Sequence, residues 1–468
     1  MLFTSLEFLF LFFPVTLIGY FLMPSIKLKN YWLMVVSLFF YAWGEPFFVL
    51  IMLMSIILNY IFARGIDHYN DNKKLKKVIL TVSVLTNLSL IFVYKYLNFV
   101  ISVIHDAFPS TQAFIPQTDF RLPIGISFFT FQALSYVVDV YRGIPVQKNI
   151  GYLCLYISFF PQLIAGPIVR YTTIAEQINV RKETTDMFYN GIIRFLYGFN
   201  KKIILANLMA VVADAAFNAH VISVAMAWLG IVCYTLQIFF DFSGYSEMAI
   251  GLGLMFGFEF LENFDYPYIS KTITEFWRRW HMSLGSWFRD YVYFPLGGSR
   301  VVTKTRLVFN LFVVWLATGI WHGASWNFIL WGVLYGMVIT IEKLMNIPKY
   351  IEQHKVVGAF YRVFTLLAVM FGWVLFRAVD LASAVNYFKC MFGLAGNSLI
   401  DTAAVFNFEE YVVIIMVSVI CSTPFFKNLK KGREGEKIIT FVVQFVLFLI
   451  SVSYLVMNAH NPFIYFNF

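Results

Sequence analysis

The stretch Leu307–Asn327, LVFNLFVVWLATGIWHGASWN, decides the fold. From Leu307 to His322 it carries no formal charge, and as a helix rising about 1.5 Å per residue it is roughly 24 Å long, most of a hydrocarbon core of about 30 Å. Arg300, Lys304 and Arg306 stand just before it. Similar runs lie at Leu2–Met23, Tyr31–Trp43, Pro46–Ala63 and Ile438–Met457, each bounded by polar or turn residues. Across all 468 residues, 60% are hydrophobic and 13% charged, against about 45–50% and 25% in soluble domains. A soluble fold of this size needs more polar surface, and disorder is excluded by the same figures. The fold class is an all-α polytopic membrane protein in a lipid bilayer. The 54 Phe and 27 Tyr suit lipid-facing helices, interfacial belts and the lining of a cavity.

The net charge of +9 sits in short loops between apolar runs, such as Lys73–Lys77 and Phe426–Lys437. That placement follows the positive-inside bias and speaks against a nucleic-acid partner. With both loops cytoplasmic, the two chain ends lie outside, which requires an even number of crossings, ten or twelve. Cys154, Cys233, Cys390 and Cys421 stand singly, with no metal-binding or disulfide spacing. The N-terminal run lacks a basic leader and a small-residue cleavage site, and is expected to be a retained helix.

Between Arg121 and Arg300 charges recur inside apolar stretches, and Pro123, Gly125, Pro161, Gly166, Pro167, Gly244, Pro267 and Pro295 interrupt them. Charged side chains and irregular backbone at membrane depth require a cavity or protein around them. The expectation is a ring of about 10–12 spans around a polar centre with broken and interfacial helices, residues 1–468 forming a single transmembrane domain. Pro167–Tyr189 is expected along the interface.

Two of the seven histidines stand apart. His322 closes the apolar run beside Gly319, Gly323 and Ala324, which admit a substrate or another backbone to the ring. An imidazole there must find a hydrogen bond or lose stability. His281 lies in Phe276–Tyr291; on one continuous helix, Trp277, Trp280, Leu284, Trp287 and Phe288 share a face, as in an interfacial helix with snorkelling arginines. The turn-rich Tyr291–Arg300 that follows is not explained that way. Gly251, Gly253 and Gly257 lack dinucleotide spacing, and Ser243 and Ser246 do not form a nucleophile elbow.

Trp277–Arg300, Gly319–Phe328 and Pro123–Gln132, together with Phe160–Ile168, Asp241–Ser246 and Asn461–Phe466, resemble the membrane-bound O-acyltransferase family, specifically its bacterial alginate O-acetyltransferase branch. The resemblance covers essentially the whole chain. It extends to the membrane component of peptidoglycan O-acetylation and, more distantly, to the protein that D-alanylates teichoic acids. It implies an enzyme of the bacterial inner membrane that passes an acetyl group from a cytoplasmic thioester to a hydroxyl on the far side. The implied donor is acetyl-CoA, with no tightly bound cofactor or metal. The implied partners are a cell-envelope polysaccharide, alginate-like or peptidoglycan, and a periplasmic or extracellular acetyltransferase. A carrier-protein D-alanyl thioester is the alternative donor, and transport of a lipid-linked substrate is the alternative class.

The family's histidine maps onto His322, and His281 onto its second recurrent polar position. His322 can take the hydroxyl proton or be transiently acylated, and the sequence leaves both open. Ser325 and Asn327 are candidates for holding the oxyanion or the imidazole, and Asp241 for the polar centre. Arg278, Arg279, Arg300 and Lys304 are candidates for the donor's phosphates. Such a donor reaches His322 by threading its acyl-pantetheine arm through a narrow channel, the favoured reading, or else the helix is tilted or broken and His322 lies nearer the midplane.

Overall fold

The computed structural model describes residues 1–164, 166–429, 436–457 and 463–464, and every regular element among them is helical. The chain divides into two compact units, Met1–Phe195 with Met248–Leu261, and Leu196–Glu247 with Glu262–Phe468.

The first unit begins with α1 (Phe8–Leu22), α2 (Ile26–Gly44), α3 (Phe48–His68) and α4 (Lys73–Ala107). Side-chain caps fix two starts: Ser25 Oγ accepts from Leu28 N and Asn72 Oδ1 from Leu75 N, each satisfying a first-turn donor. Next come α5 (Ile126–Tyr141), α6 (Ile150–Ser158) and α7 (Tyr171–Asn179). The outward face of α3 is apolar, with Leu50, Ile57 and Ile61 exposed. Its inward face sets Asn59 among the apolar Met52, Ile56, Ala63 and Ile66, and there Asn59 and Asn87 of α4 exchange amide hydrogen bonds of 3.0 and 2.8 Å. Lipid outside and paired amides inside is the inverse of a soluble helix. Arg181 is buried, donating to Tyr20 Oη, Phe256 O and Asn30 Oδ1.

Two long helices follow, α8 (Thr185–Phe217) and α9 (Val224–Met255), the unit division falling within each. Lys201–Ala206 forms a π-helical stretch inside α8. Tyr189 therefore belongs to a helix of spanning length. The interfacial reading of Pro167–Tyr189 fails there, because the apolar run beyond Tyr189 carries α8 on to Phe217.

In the second unit come α10 (Ile273–Arg279), α11 (Met282–Phe288), α12 (Lys304–His322), α13 (Trp326–Leu344), α14 (Lys355–Arg377), α15 (Leu381–Met391), α16 (Thr402–Cys421) and α17 (Glu436–Met457). Asp380 and Asp401 cap α15 and α16. Eight described helices are long and apolar enough to cross a membrane: α3, α4, α8, α9, α13, α14, α16 and α17. The helices α1 and α5 are apolar but shorter, and α2 and α12, 19 residues each, carry lysine or arginine near their starts. The expected ten or twelve crossings are reached only when some of these four are counted. His460, most of Asn461–Phe466 and part of the basic Phe426–Lys437 loop lie outside the described residues.

Candidate active site

Within the second unit, α12 and α13 form a tight antiparallel pair. A Cβ on Gly319 would stand 2.4 Å from the Phe328 carbonyl oxygen, and one on Gly332 2.4 Å from that of Trp315. Gly319 thus admits another backbone, which settles one of the two readings of the small residues beside His322. The closure sets His322 at the end of α12, about 27 Å from Lys304 at 1.5 Å per residue.

Beside this pair, α10 and α11 make a short hairpin that spans nothing. Its entry is held by Glu342 of α13: the Ile273 and Thr274 amides each donate to its carboxylate at 2.8 Å, and Tyr361 Oη donates at 3.1 Å. At its exit, Lys343 Nζ donates to Tyr293 Oη at 2.8 Å. Both ends are thus tethered to the same end of α13. The tip is His281, at φ 45° and ψ 53°, a left-handed conformation uncommon for a residue with a Cβ. One continuous helix over Trp277–Phe288 is therefore not what forms. The helix stops at Arg279, Trp280 is extended, and the chain reverses at His281. The aromatic stripe of the sequence becomes two short faces.

The reversal brings His281 against Trp321, the residue that precedes His322 at the end of α12. The Trp321 ring centroid is 6.1 Å from His281 and 4.9 Å from His322. Both imidazoles are buried, 2% and 5% exposed. His322 is boxed edge-on by Trp331 at 4.8 Å and Phe376 at 5.2 Å. His281 packs against Phe242 at 4.7 Å, and its Nδ1 lies 3.0 Å from Asn263 Oδ1. Burial lowers the His281 pKa to about 3, so this imidazole is neutral at physiological pH.

Behind His322 runs an aromatic column. Trp277 meets Trp331, Trp315 and Tyr335 at 5.2, 5.2 and 4.9 Å. The indole N–H groups of Trp277 and Trp331 are buried without a hydrogen-bond partner among the described residues. A cavity of about 310 Å³ opens at the tethered end of the hairpin, lined by Thr274, Arg278, Arg289, Tyr293, Glu342 and Lys343 among others.

The candidates from the sequence separate accordingly. Arg278 is exposed on the cavity wall, without an ion pair among the described residues. Arg279 points elsewhere, bound to Asp265 at 2.8 Å and Glu275 at 3.0 Å. Arg300 and Lys304 are exposed, and neither lines the cavity. Ser325 precedes α13 without a side-chain capping bond. Asn327 is 1% exposed, and its Nδ2 donates to Ala378 O at 2.8 Å, joining the start of α13 to the end of α14. Asp241 is paired with Lys202 at 2.5 Å and accepts from Ile464 N at 2.9 Å. No group of three or more histidine, cysteine, aspartate or glutamate side chains suited to a metal occurs among the described residues.

Sequence reasoning missed Glu342, Lys343, Arg289 and Asn263. Glu342 had a visible signal, a carboxylate closing an apolar run from Trp326. Asn263 had none.

The model of the membrane-bound O-acyltransferase family matches residues 35–376. The probable alginate O-acetylase AlgI of Pseudomonas putida is 36% identical over the full length of both chains. That of Pseudomonas aeruginosa is 41% identical over 84% of this chain and 75% of the relative. The peptidoglycan O-acetyltransferase of Helicobacter pylori is 31% identical over 100% of this chain and 98% of the relative. With a family match that spans most of its length and relatives that cover it end to end, the chain belongs to the membrane-bound O-acyltransferase family and is a multi-pass membrane O-acyltransferase.

Proposed function

We propose that this enzyme moves an acetyl group from cytoplasmic acetyl-CoA across the inner membrane of a bacterium. The acceptor is a hydroxyl of a cell-envelope polysaccharide, alginate-like or peptidoglycan, or of a periplasmic partner acetyltransferase. Residues 1–468 act as a single transmembrane domain, and the donor is a substrate, with no cofactor held tightly. The observation that carries the reading is the run of aromatic contacts that leads from Trp277, next to Arg278 on the cavity wall, through Trp331 to His322.

The basic loop before α12 marks the cytoplasmic end, so the cavity faces the donor. Arg278 and Lys343 supply positive charge for its phosphates, Arg289 being held by Asp290 at 2.8 Å, with the exposed Arg300 and Lys304 outside the cavity wall as attracting charge. The pantetheine arm carries two amides. The indole N–H groups of Trp277 and Trp331 are donors for its carbonyls as it threads toward His322.

At His322 the acceptor O–H bond breaks as its proton passes to the imidazole. The oxygen forms a C–O bond to the thioester carbonyl, the C–S bond breaks, and the thiolate takes up the proton. General-base catalysis of this kind contributes typically about 10²–10⁴ in rate. Asn327 holds α13 against α14 beneath His322, and the Ser325 hydroxyl stands nearest in sequence for the oxyanion. Arg279 and Asp241 serve the shape of the unit through their ion pairs.

The test is purified full-length protein in liposomes with acetyl-labelled CoA inside and acceptor outside. Transfer should fall about 10²-fold or more in His322→Ala. Unchanged transfer would refute the assignment. A charged carrier protein as sole donor distinguishes a D-alanyl thioester, and passage of intact substrate without acetyl exchange would reveal a transporter.

A further inference from the structure

Asn263 lies on the segment between α9 and α10, and its amide makes a closed set of contacts. Its Oδ1 accepts from Ser283 N at 3.2 Å and from Ser283 Oγ at 2.9 Å, and it faces His281 Nδ1 at 3.0 Å. Its Nδ2 donates to Ser246 Oγ at 2.9 Å. Asn263 is 1% exposed, and Ser246 and Ser283 are 2% and 3% exposed. Water therefore does not substitute for these contacts.

The orientation of an amide is ordinarily an assignment, since oxygen and nitrogen look alike. Here a backbone fixes it. Ser283 N is an obligate donor, so the atom facing it is the oxygen. That oxygen also faces His281 Nδ1 at 3.0 Å, and an amide oxygen only accepts; the Ser283 hydroxyl lies farther from Nδ1, at 3.4 Å, and gives its hydrogen to the same oxygen at 2.9 Å. His281 Nδ1 therefore carries a hydrogen. A neutral imidazole has one N–H, which leaves Nε2 with the lone pair.

We infer that Asn263 is a positioning residue that holds His281 in the Nδ1–H tautomer, so that Nε2 takes part in the reaction as a hydrogen-bond acceptor. This excludes one role for His281: a neutral ring so held cannot donate from Nε2 to polarise the thioester carbonyl. It leaves His281 to accept, drawing on the proton of the acceptor hydroxyl as the C–O bond forms. The left-handed backbone at His281 belongs to the same device. It turns the chain so that His281 and Ser283, two residues apart, meet one amide oxygen.

The tautomer follows from the hydrogen bonds alone, whereas its kinetic consequence rests on the acyl-transfer reading; the two are tested separately. Full-length protein labelled with ¹⁵N-histidine gives the tautomer directly, the His281 resonances being those absent in His281→Gln. The expected result is a protonated Nδ1 and an unprotonated Nε2. An Nε2–H form in the wild type would overturn the inference whatever the enzyme does. In Asn263→Ala the tautomers should mix and kcat should fall about 10- to 100-fold, part of the range for a general base.

Asn263→Asp keeps the acceptor and adds a charge beside the ring. Most of the activity should return, and the ¹⁵N titration profile of His281 should move to higher pH from about 3, because a neighbouring carboxylate favours the imidazolium. If Asn263→Ala does not fold, the wild-type tautomer and the Asn263→Asp profile still decide. A profile that does not move in Asn263→Asp would mean the residue is merely structural.

Discussion

Gly319→Ala is a one-carbon change whose effect can be worked from the α12–α13 contact. The added carbon would lie 2.4 Å from the Phe328 carbonyl oxygen and 3.2 Å from Gly332 Cα, where ordinary contact begins at 3.4 Å. The obstacle is backbone on both counts, so the helices must part by about 1 Å. Overpacking of this kind costs about 1–3 kcal/mol, while alanine in a helix returns up to about 1 kcal/mol over glycine. With the full helix gain, the net loss is about 0–2 kcal/mol, on the same scales. His322 lies three residues on, and a misplacement of about 1 Å is worth up to about 10²-fold in rate.

The assay pairs initial acetyl-transfer rate with thermal unfolding in the same detergent, beside Gly65→Ala as a control. At Gly65 the nearest atom is the flexible Ile79 Cδ1 at 3.4 Å, so helix propensity wins and the variant should match or exceed wild-type stability. Wild-type activity and an unchanged Tm in Gly319→Ala would refute the claim that helix approach sets the position of His322.

Asp241→Asn leaves Lys202, 4% exposed, without its countercharge, which should cost about 3–5 kcal/mol in thermal unfolding, and Asp241→Leu with Lys202→Met should recover most of it. Arg278→Ala should raise KM for acetyl-CoA with little change in kcat, since Arg278 lines the cavity away from His322 without an ion pair among the described residues, and an effect confined to kcat would move the donor site elsewhere. Glu342→Gln turns an amide donor toward one of two backbone N–H groups, and hydrogen bonds to a charged group are worth about 1.5–3 kcal/mol each. It should lower Tm and kcat together, while KM rising alone would separate the hairpin's anchor from the position of His281.

The amino-acid sequence by itself determined the solvent and the chemistry. Apolar runs such as Leu307–His322 have one stable solution in a bilayer, because a helix satisfies every backbone donor from within the segment. The same run isolated His322, since an imidazole at its end demands a reason. Periodicity failed at Trp277–Phe288, where a stripe compatible with one helix is cut by a reversal at His281. Nothing local announces that break: Glu342 and Lys343, tethering the hairpin from more than fifty residues away, decide it.

Tertiary structure also sorted the arginines. Arg278 and Arg279 are neighbours in sequence, yet one faces a cavity and the other is consumed by Asp265 and Glu275. The packing of His281 on Trp321, and the tautomer that Asn263 imposes, belong to the fold alone. They depend on which atoms face one another across distant segments, a relation that spacing along a chain does not encode.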